Sequence, residues 1–424
     1  MDGTDTTSGL SESPSSAAAP AGAGGHRRWT VIIASGVFAT TLAQPGLLRL
    51  PFQHILKSDL GVSPHEMAAF FAAAAVAWYF KPLAGLLSDS VPLFGSRRRH
   101  YLIVSGTAAA VLWLVVALVP RTYPMVLATV ILLNAALVMG STVAGGLLVE
   151  AGQRYGRTGR LTSVRYVVQS ACVLLAGPLG GMLATRPFWQ TGALGAAVAV
   201  SVVPVAVVLL HEPPAARKRA GAWGDAGREL STLMSAGPLW RAVGLMALLY
   251  AAPGFATTLY YRQTDTLGFS PEFIGTLAFV GGALALGGAA LYGLACRHLT
   301  LRRLLQIGIG CSALAMLGYL FYASKVTAVV IEAQAGLFVT LAELALMDLA
   351  ARATPRGSEG LGFALMMSVR NGALALADMV GASLIEQGWM SFSALVVLNA
   401  AVVAVAVLAI RTVPAALLDR REAA

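Results

Sequence analysis

Residues 77–101 read Ala77-Trp78-Tyr79-Phe80-Lys81-Pro82-Leu83-Ala84-Gly85-Leu86-Leu87-Ser88-Asp89-Ser90-Val91-Pro92-Leu93-Phe94-Gly95-Ser96-Arg97-Arg98-Arg99-His100-Tyr101. An apolar run closes on Ser88-Asp89-Ser90, a short turn carries Pro92 and Gly95, and three arginines precede the next apolar run. A bilayer span needs about 20 apolar residues, and Lys and Arg gather in short cytoplasmic loops. The stretch therefore reads as the inner loop between two membrane helices. The rest of the chain agrees: 57% of its 424 residues are hydrophobic and 12% are charged, about half the charged share of a soluble domain. Cys172, Cys296 and Cys311 are odd in number, lie in apolar stretches and form no C-x-x-C pair, which excludes a disulfide scaffold.

Outward from this loop, hydropathy places twelve spans near 29–50, 65–88, 100–120, 123–149, 162–185, 190–210, 241–261, 271–295, 302–322, 327–349, 360–386 and 391–411. Residues 1–28 are Ser-, Ala-, Gly- and Pro-rich and are expected to be a disordered cytoplasmic N-terminus. Residues 29–210 form one six-helix half and 241–411 a second. A basic linker, 211–240, joins them, and 412–424 is a cytoplasmic tail. With the N-terminus inside, inner segments hold 21 Lys and Arg, outer loops 6, and three (Lys81, Arg165, Arg370) fall within spans. That bias puts both termini in the cytoplasm. It also accounts for the net charge of +10 without nucleic acid. The reading is an all-α membrane protein, multi-pass in a plasma membrane.

Twelve spans in two halves around a basic central loop resemble the major facilitator superfamily. In that fold substrate binds near the midplane between the halves. A narrower resemblance rests on Trp78, Lys81-Pro82-Leu83, Gly85, Ser88-Asp89-Ser90, Pro92-x-Phe94-Gly95 and Arg97-Arg98. Gln44-Pro45-Gly46, Leu60-Gly61-Val62-Ser63-Pro64, Pro355-x-Gly357-x-Glu359 and Ser368-x-x-Asn371 extend it. Together they are similar to the folate–biopterin transporter family, across essentially all spans. Two departures bear on substrate and coupling. Gly145 stands where that family commonly has an Asp before Glu150, and Thr162-Ser163-Val164-Arg165 stands where a Gln-Ser and an aromatic are usual.

Charges within spans are costly unless they face a cavity or a partner. Lys81 lies about two turns from Asp89. It has three open readings: attraction of a substrate carboxylate, a structural pair, or snorkelling to the interface. Arg165 and Arg370 occupy matching places in spans five and eleven, and Glu150 and Asp348 in spans four and ten. The symmetry predicts inner clusters Asp89–Glu150–Arg165 and Asp348–Arg370, with Asp89, Arg97, Arg98 and Asp348 as gate residues; alternatively the arginines only anchor topology. Glu332, Glu343, Asp378 and Glu386 are the other span-associated acids. Glu343, the deepest, and Glu150 are the proton-coupling candidates.

Pro45-Gly46 and Pro253-Gly254 break corresponding spans, a pattern that points to a binding site. Gln44, Trp78, Lys81, Arg165, Tyr250, Tyr261, Arg370 and Asn371 form the candidate substrate-binding set. The aromatic members would stack on a flat heterocycle, or else serve as interfacial belt. No phosphate loop, H-E-x-x-H or G-x-S-x-G is present, so no ATPase, metalloenzyme or hydrolase is expected, nor any cofactor or metal. The resemblance implies a monomeric secondary transporter, proton-coupled, for a folate- or pterin-like molecule. An S-adenosylmethionine carrier and a pigment or cofactor assembly factor remain alternatives of the same fold.

Overall fold

The computed structural model describes residues 23–155, 158–212, 231–355 and 359–419, the side chains at 23–26, 89–90, 152–155, 158–160, 359–361 and 363 excepted. The first part of the chain forms α1 Ala23–Leu42, α2 Arg49–His54, α3 Pro64–Ala74, α4 Val76–Tyr79, α5 Lys81–Ser90, α6 Arg99–Leu118, α7 Tyr123–Tyr155, α8 Thr158–Ala184, α9 Phe188–Val200 and α10 Val202–Leu209. The second forms α11 Gly237–Tyr250, α12 Ala256–Tyr261, α13 Pro271–Ala295, α14 Leu301–Leu317, α15 Lys325–Ala353, α16 Glu359–Glu386 and α17 Phe392–Ala409. Among the described residues, eight helices are long and apolar enough to cross a bilayer. The expected spans outside this set are the first, second, seventh and eleventh. Three of them are broken into shorter helices, and α16 carries Arg370, Asp378 and Glu386. Broken or charged helices are tolerated at membrane depth where they are packed in protein or line a polar cavity.

The breaks repeat between the two parts of the chain. After α2 a wide turn over Ile55–Asp59 is closed by Leu60 N–H donating to Ile55 O at 3.1 Å; after α12 its counterpart over Arg262–Thr266 is closed by Leu267 N–H donating to Arg262 O at 3.0 Å. Both are i→i+5 bonds, the π geometry that marks irregular, often functional, points of a helix. Gly61 and Gly268 follow with φ of 63° and 62°, the left-handed region that glycine enters without steric cost. Ser63 and Ser270 then cap α3 and α13 through their side chains, each with proline next. The chain spells Leu-Gly-x-Ser-Pro at 60–64 and again at 267–271, a repeat that the hydropathy reading overlooks.

Burial separates the two faces of the bundle. One face carries Arg97–Arg99, Glu212, Arg302 and Asp419 and is called here the basic face; the other, with both π corners, is the far face. On the far side a single apolar cluster unites both parts of the chain, with Phe52, Phe70 and Trp113 from one and Phe255, Tyr319 and Tyr322 from the other. Toward the basic face the cores separate. Leu239, Leu301, Leu346 and Met366 belong to one cluster, and Ile32, Leu102, Leu147 and Val202 to another. The two parts thus converge at the far face and part toward the basic one. At the convergence α8 and α13 touch backbone to backbone: a Cβ on Gly177 would stand 2.6 Å from Gly275 O, and one on Gly181 would stand 2.7 Å from Pro271 O. Small residues permit this approach between membrane helices.

Candidate functional site

Trp78 and Lys81 owe their placement to two interruptions in the second span. Ala75 (φ −84°, ψ 3°) ends α3 and Phe80 (φ −108°, ψ 21°) ends α4, with Pro82 at the start of α5. Proline suits the first turn of a helix, where its missing N–H costs no bond. Buried Asn134 of α7 donates to Ala74 O at 2.8 Å, beside the first break, and accepts from Trp78 Nε1 at 2.9 Å. This fixes the indole. Lys81 Nζ then lies over the Trp78 ring, 5.3 Å from its centroid, and donates to Ser141 Oγ at 3.0 Å. Arg165 of α8 is near enough for like-charge repulsion with Lys81. Two cations thus stand close together here.

The second part of the chain holds another group, on α16, a helix that packs on both α4 and α5. Arg370 forms an ion pair with Glu343 of α15, lies 5.0 Å from the Tyr250 ring centroid, and donates to Asn371 Oδ1 at 3.3 Å. Among the described residues, its Nε and the Ser368 Oγ are buried without a hydrogen-bond partner, and buried polar atoms are nearly always satisfied.

Trp78 and Lys81 therefore meet in the first part of the chain, with Arg165 near Lys81, and Tyr250, Glu343, Arg370 and Asn371 meet in the second. Gln44, just past the end of α1, donates its amide to Thr40 O at 2.7 Å. One expected member lies elsewhere. Tyr261 donates to Val62 O in the far-face contact, because its helix runs past the Pro253-Gly254 break to the opposite end of the bundle.

The pairings at the basic face also differ from those symmetry predicts. Glu150 accepts from Arg98 at 2.9 and 3.1 Å, while Arg98 Nη1 donates to Ser88 Oγ at 3.2 Å. The loop reaches this position through a tight turn in which Leu93 and Ser96 exchange backbone bonds, with Phe94 and Gly95 at φ 46° and 77°, the pattern of a type I′ turn. Glu212, which the sequence reading passed over, then accepts from Ser96 Oγ at 2.6 Å and from the Arg97 and Arg98 N–H groups at 3.1 Å. Glu150 is thus engaged by Arg98 rather than Arg165. Asp348 is engaged by Arg352 one turn along α15 at 2.8 Å, and by Tyr292 OH at 3.2 Å, rather than by Arg370. The Asp89 side chain lies outside the described residues.

Polar contacts join the two parts of the chain at the far face. Arg49 pairs with Asp378 at 3.3 Å and donates to Thr257 Oγ1 at 2.9 Å. Asp378 also accepts from the Thr257 N–H and hydroxyl, at 2.9 and 2.6 Å. Lys57 pairs with Asp265, and His65 N–H donates to Glu386 Oε2 at 3.0 Å. Arg49 and Lys57 were missed because they sit at span ends, where a basic residue reads as an anchor.

The model of the BT1 family matches residues 43–418. The chain belongs to the BT1 family. A folate-biopterin transporter of Synechocystis sp. is 28% identical over 364 residues, covering 80% of this chain and 71% of the relative. Probable folate-biopterin transporter 4 of Arabidopsis thaliana is 26% identical over 408 residues, covering 78% and 83%. Among solved structures, a D-xylose–proton symporter superposes with TM-score 0.69 at 14% identity, covering 91% of this chain and 96% of that one. A peptide transporter in complex with sulfate gives 0.72 at 13% identity, covering 92% and 94%. Likeness at that identity establishes the major facilitator fold. With the family, it makes this BT1-family chain a membrane transporter.

Proposed function

We propose that the protein moves a folate- or pterin-like anion across a plasma membrane by alternating access, coupled to protons. One observation carries this reading: Lys81 lies on Trp78 and Arg370 by Tyr250, each a cation beside an aromatic ring, on helices α5 and α16 that pack together. A fused heterocycle stacks on the rings while a carboxylate meets the cations. The names borne by the relatives support the cargo class. The moving bodies are residues 29–210 and 241–411, joined by 211–240, with both termini in the cytoplasm and the protein a monomer. The sealed far face is then extracellular, and the conformation is open inward.

Glu343 is the coupling acid in this scheme. While ionised it neutralises Arg370; a proton on Glu343 releases the guanidinium to a substrate carboxylate, so proton and anion enter together. Glu150, drawn to Arg98, serves with Asp89, Arg97 and Asp348 in the inner gate. An S-adenosylmethionine cargo would need an acid free to face its sulfonium, and Glu343 is taken by Arg370.

The test is a thermal-shift screen of detergent-purified protein with folate, 5-formyl-folate, biopterin, pterin and S-adenosylmethionine, repeated with Lys81→Ala. A ligand at 100 times its Kd stabilises by about 2.7 kcal/mol. A folate or pterin shift lost in the variant supports the reading. A shift with S-adenosylmethionine alone, or none in folded protein, refutes it.

A further inference from the structure

Glu332 has no part in the site above, yet it is the acid whose surroundings differ most from those of its neighbours. On α15 and α16, Glu343, Asp348 and Asp378 each bond an arginine. Glu332 instead faces two phenols. Tyr319 OH lies 3.2 Å from its Oε2 and Tyr322 OH lies 3.2 Å from its Oε1. The two rings are buried and stacked, 5.5 Å apart at 12°. Gln263 of the second π corner donates to Tyr322 OH at 2.7 Å, which leaves the phenolic hydrogen directed at Glu332.

Each element packed around the carboxyl has a charged or polar group to consider. From the π corner, Arg262 reaches Tyr322 O at 3.4 Å and lies over the Phe392 ring of α17, 5.0 Å from its centroid. From α13 comes Gly281, which has no side chain; a Cβ there would sit 3.9 Å from Glu332 Oε2. At the start of α15 itself, Lys325 lies over Phe273, 5.3 Å from its centroid. Both cations thus have other partners. Among the described residues only the two phenols bond this carboxyl; in the apolar far-side cluster a bare charge is costly to desolvate, whereas a carboxylic acid both donates and accepts among hydroxyls.

Position adds a second argument. Glu332 stands seven residues into α15 from the far face, about 10 Å deep at 1.5 Å per residue. Glu343 lies eleven residues further, about 16 Å. Eleven residues at 3.6 per turn is close to three whole turns, so both acids share one face of α15. Glu332 as a residue is partly exposed and stands nearer the far face than Glu343.

We propose that Glu332 is a second proton-binding site, loaded from the far face and aligned along α15 with Glu343. It rests on the coupled-transport reading only for its use; proton binding itself is independent of cargo. Infrared difference spectra of the purified protein in lipid, stepped between about pH 8 and pH 5, test it without substrate. A protonated-carboxyl C=O band that is lost in Glu332→Gln and kept in Glu343→Gln is expected. An unchanged band set in Glu332→Gln overturns the site. Should that variant not fold, Tyr322→Phe removes one hydroxyl partner and must shift the same band; an unshifted band overturns it equally. In proteoliposomes, Glu332→Gln should exchange 5-formyl-folate as wild type does but lose accumulation driven by a pH gradient. Retained accumulation overturns the relay. If wild type moves no folate while the infrared band behaves as expected, the cargo reading fails and the proton site stands.

Discussion

Replacing Arg49 by glutamine removes the most enclosed charge pair of the far face. The Asp378 side chain is 14% exposed and that of Arg49 32%, so the pair is neither a surface contact nor a dry one. A hydrogen bond to a charged group contributes about 1.5–3 kcal/mol, and partial exposure places this one near the lower figure. Arg49 also lies 4.2 Å from the Phe71 ring centroid, worth about 0.5 kcal/mol more. Asp378 keeps both Thr257 bonds, which limits the loss. The balance is about 2 kcal/mol, and it exists only while the far face is sealed. Since 1.4 kcal/mol is tenfold, Arg49→Gln should move the closed-to-open ratio there about 30-fold. Nitroxides on Thr122→Cys and Gln387→Cys, exposed on far-face loops of the two parts, report the change by electron–electron resonance distances. Cys172, Cys296 and Cys311 are replaced by alanine beforehand. Growth of a longer-distance population is expected, with Arg49→Lys intermediate. An unchanged distribution refutes the assignment of this pair as a latch.

Lys81→Ala should raise the Kd for a pterin-like anion about 10- to 100-fold, since one charge-assisted bond is lost, with the melting temperature of empty protein little altered; calorimetric titration measures both. Gly177→Ala drives a methyl into the carbonyl of Gly275 and should cost about 1–3 kcal/mol. Gly180→Ala, whose Cβ would sit 3.5 Å from Leu50, should be nearly neutral, and thermal melts in detergent compare the two. Glu343→Gln leaves Arg370 without its counter-ion, so anion binding should persist while pH-gradient-driven uptake falls away in proteoliposomes.

Much of this architecture is written locally in the chain. Apolar runs and the Lys/Arg bias set the helices, and Pro45-Gly46 and Pro253-Gly254 announce the broken pair, because each depends on neighbours in sequence. Trp78 and Lys81 are three residues apart and meet for the same reason. Arg352 is four residues past Asp348 and was legible by spacing, yet the appeal of symmetry favoured Arg370. The partnership of Arg370 with Glu343 was not legible, because it depends on how α15 and α16 are rotated against each other. Glu212 captures backbone N–H groups of a loop more than 100 residues earlier, and no side-chain pattern signals a backbone donor. The twin corners at 60–64 and 267–271 were legible and are found by aligning the chain with itself.

Those corners have a consequence for the symmetry of the contact between the two parts of the chain. The offset of 207 between them maps Lys57 onto Thr264 and Asp265 onto Ser58. In an assembly of two identical copies related by a twofold axis, every contact occurs twice, so a Lys57–Asp265 pair would have a twin between 264 and 58. Here the twin positions carry two hydroxyl side chains, neither of them charged. In one chain each corner is free to differ from the other, which leaves one charged bolt between the corners where strict symmetry would set two. Opening the far face then means breaking this bolt and the unlike Arg49–Asp378 pair as well.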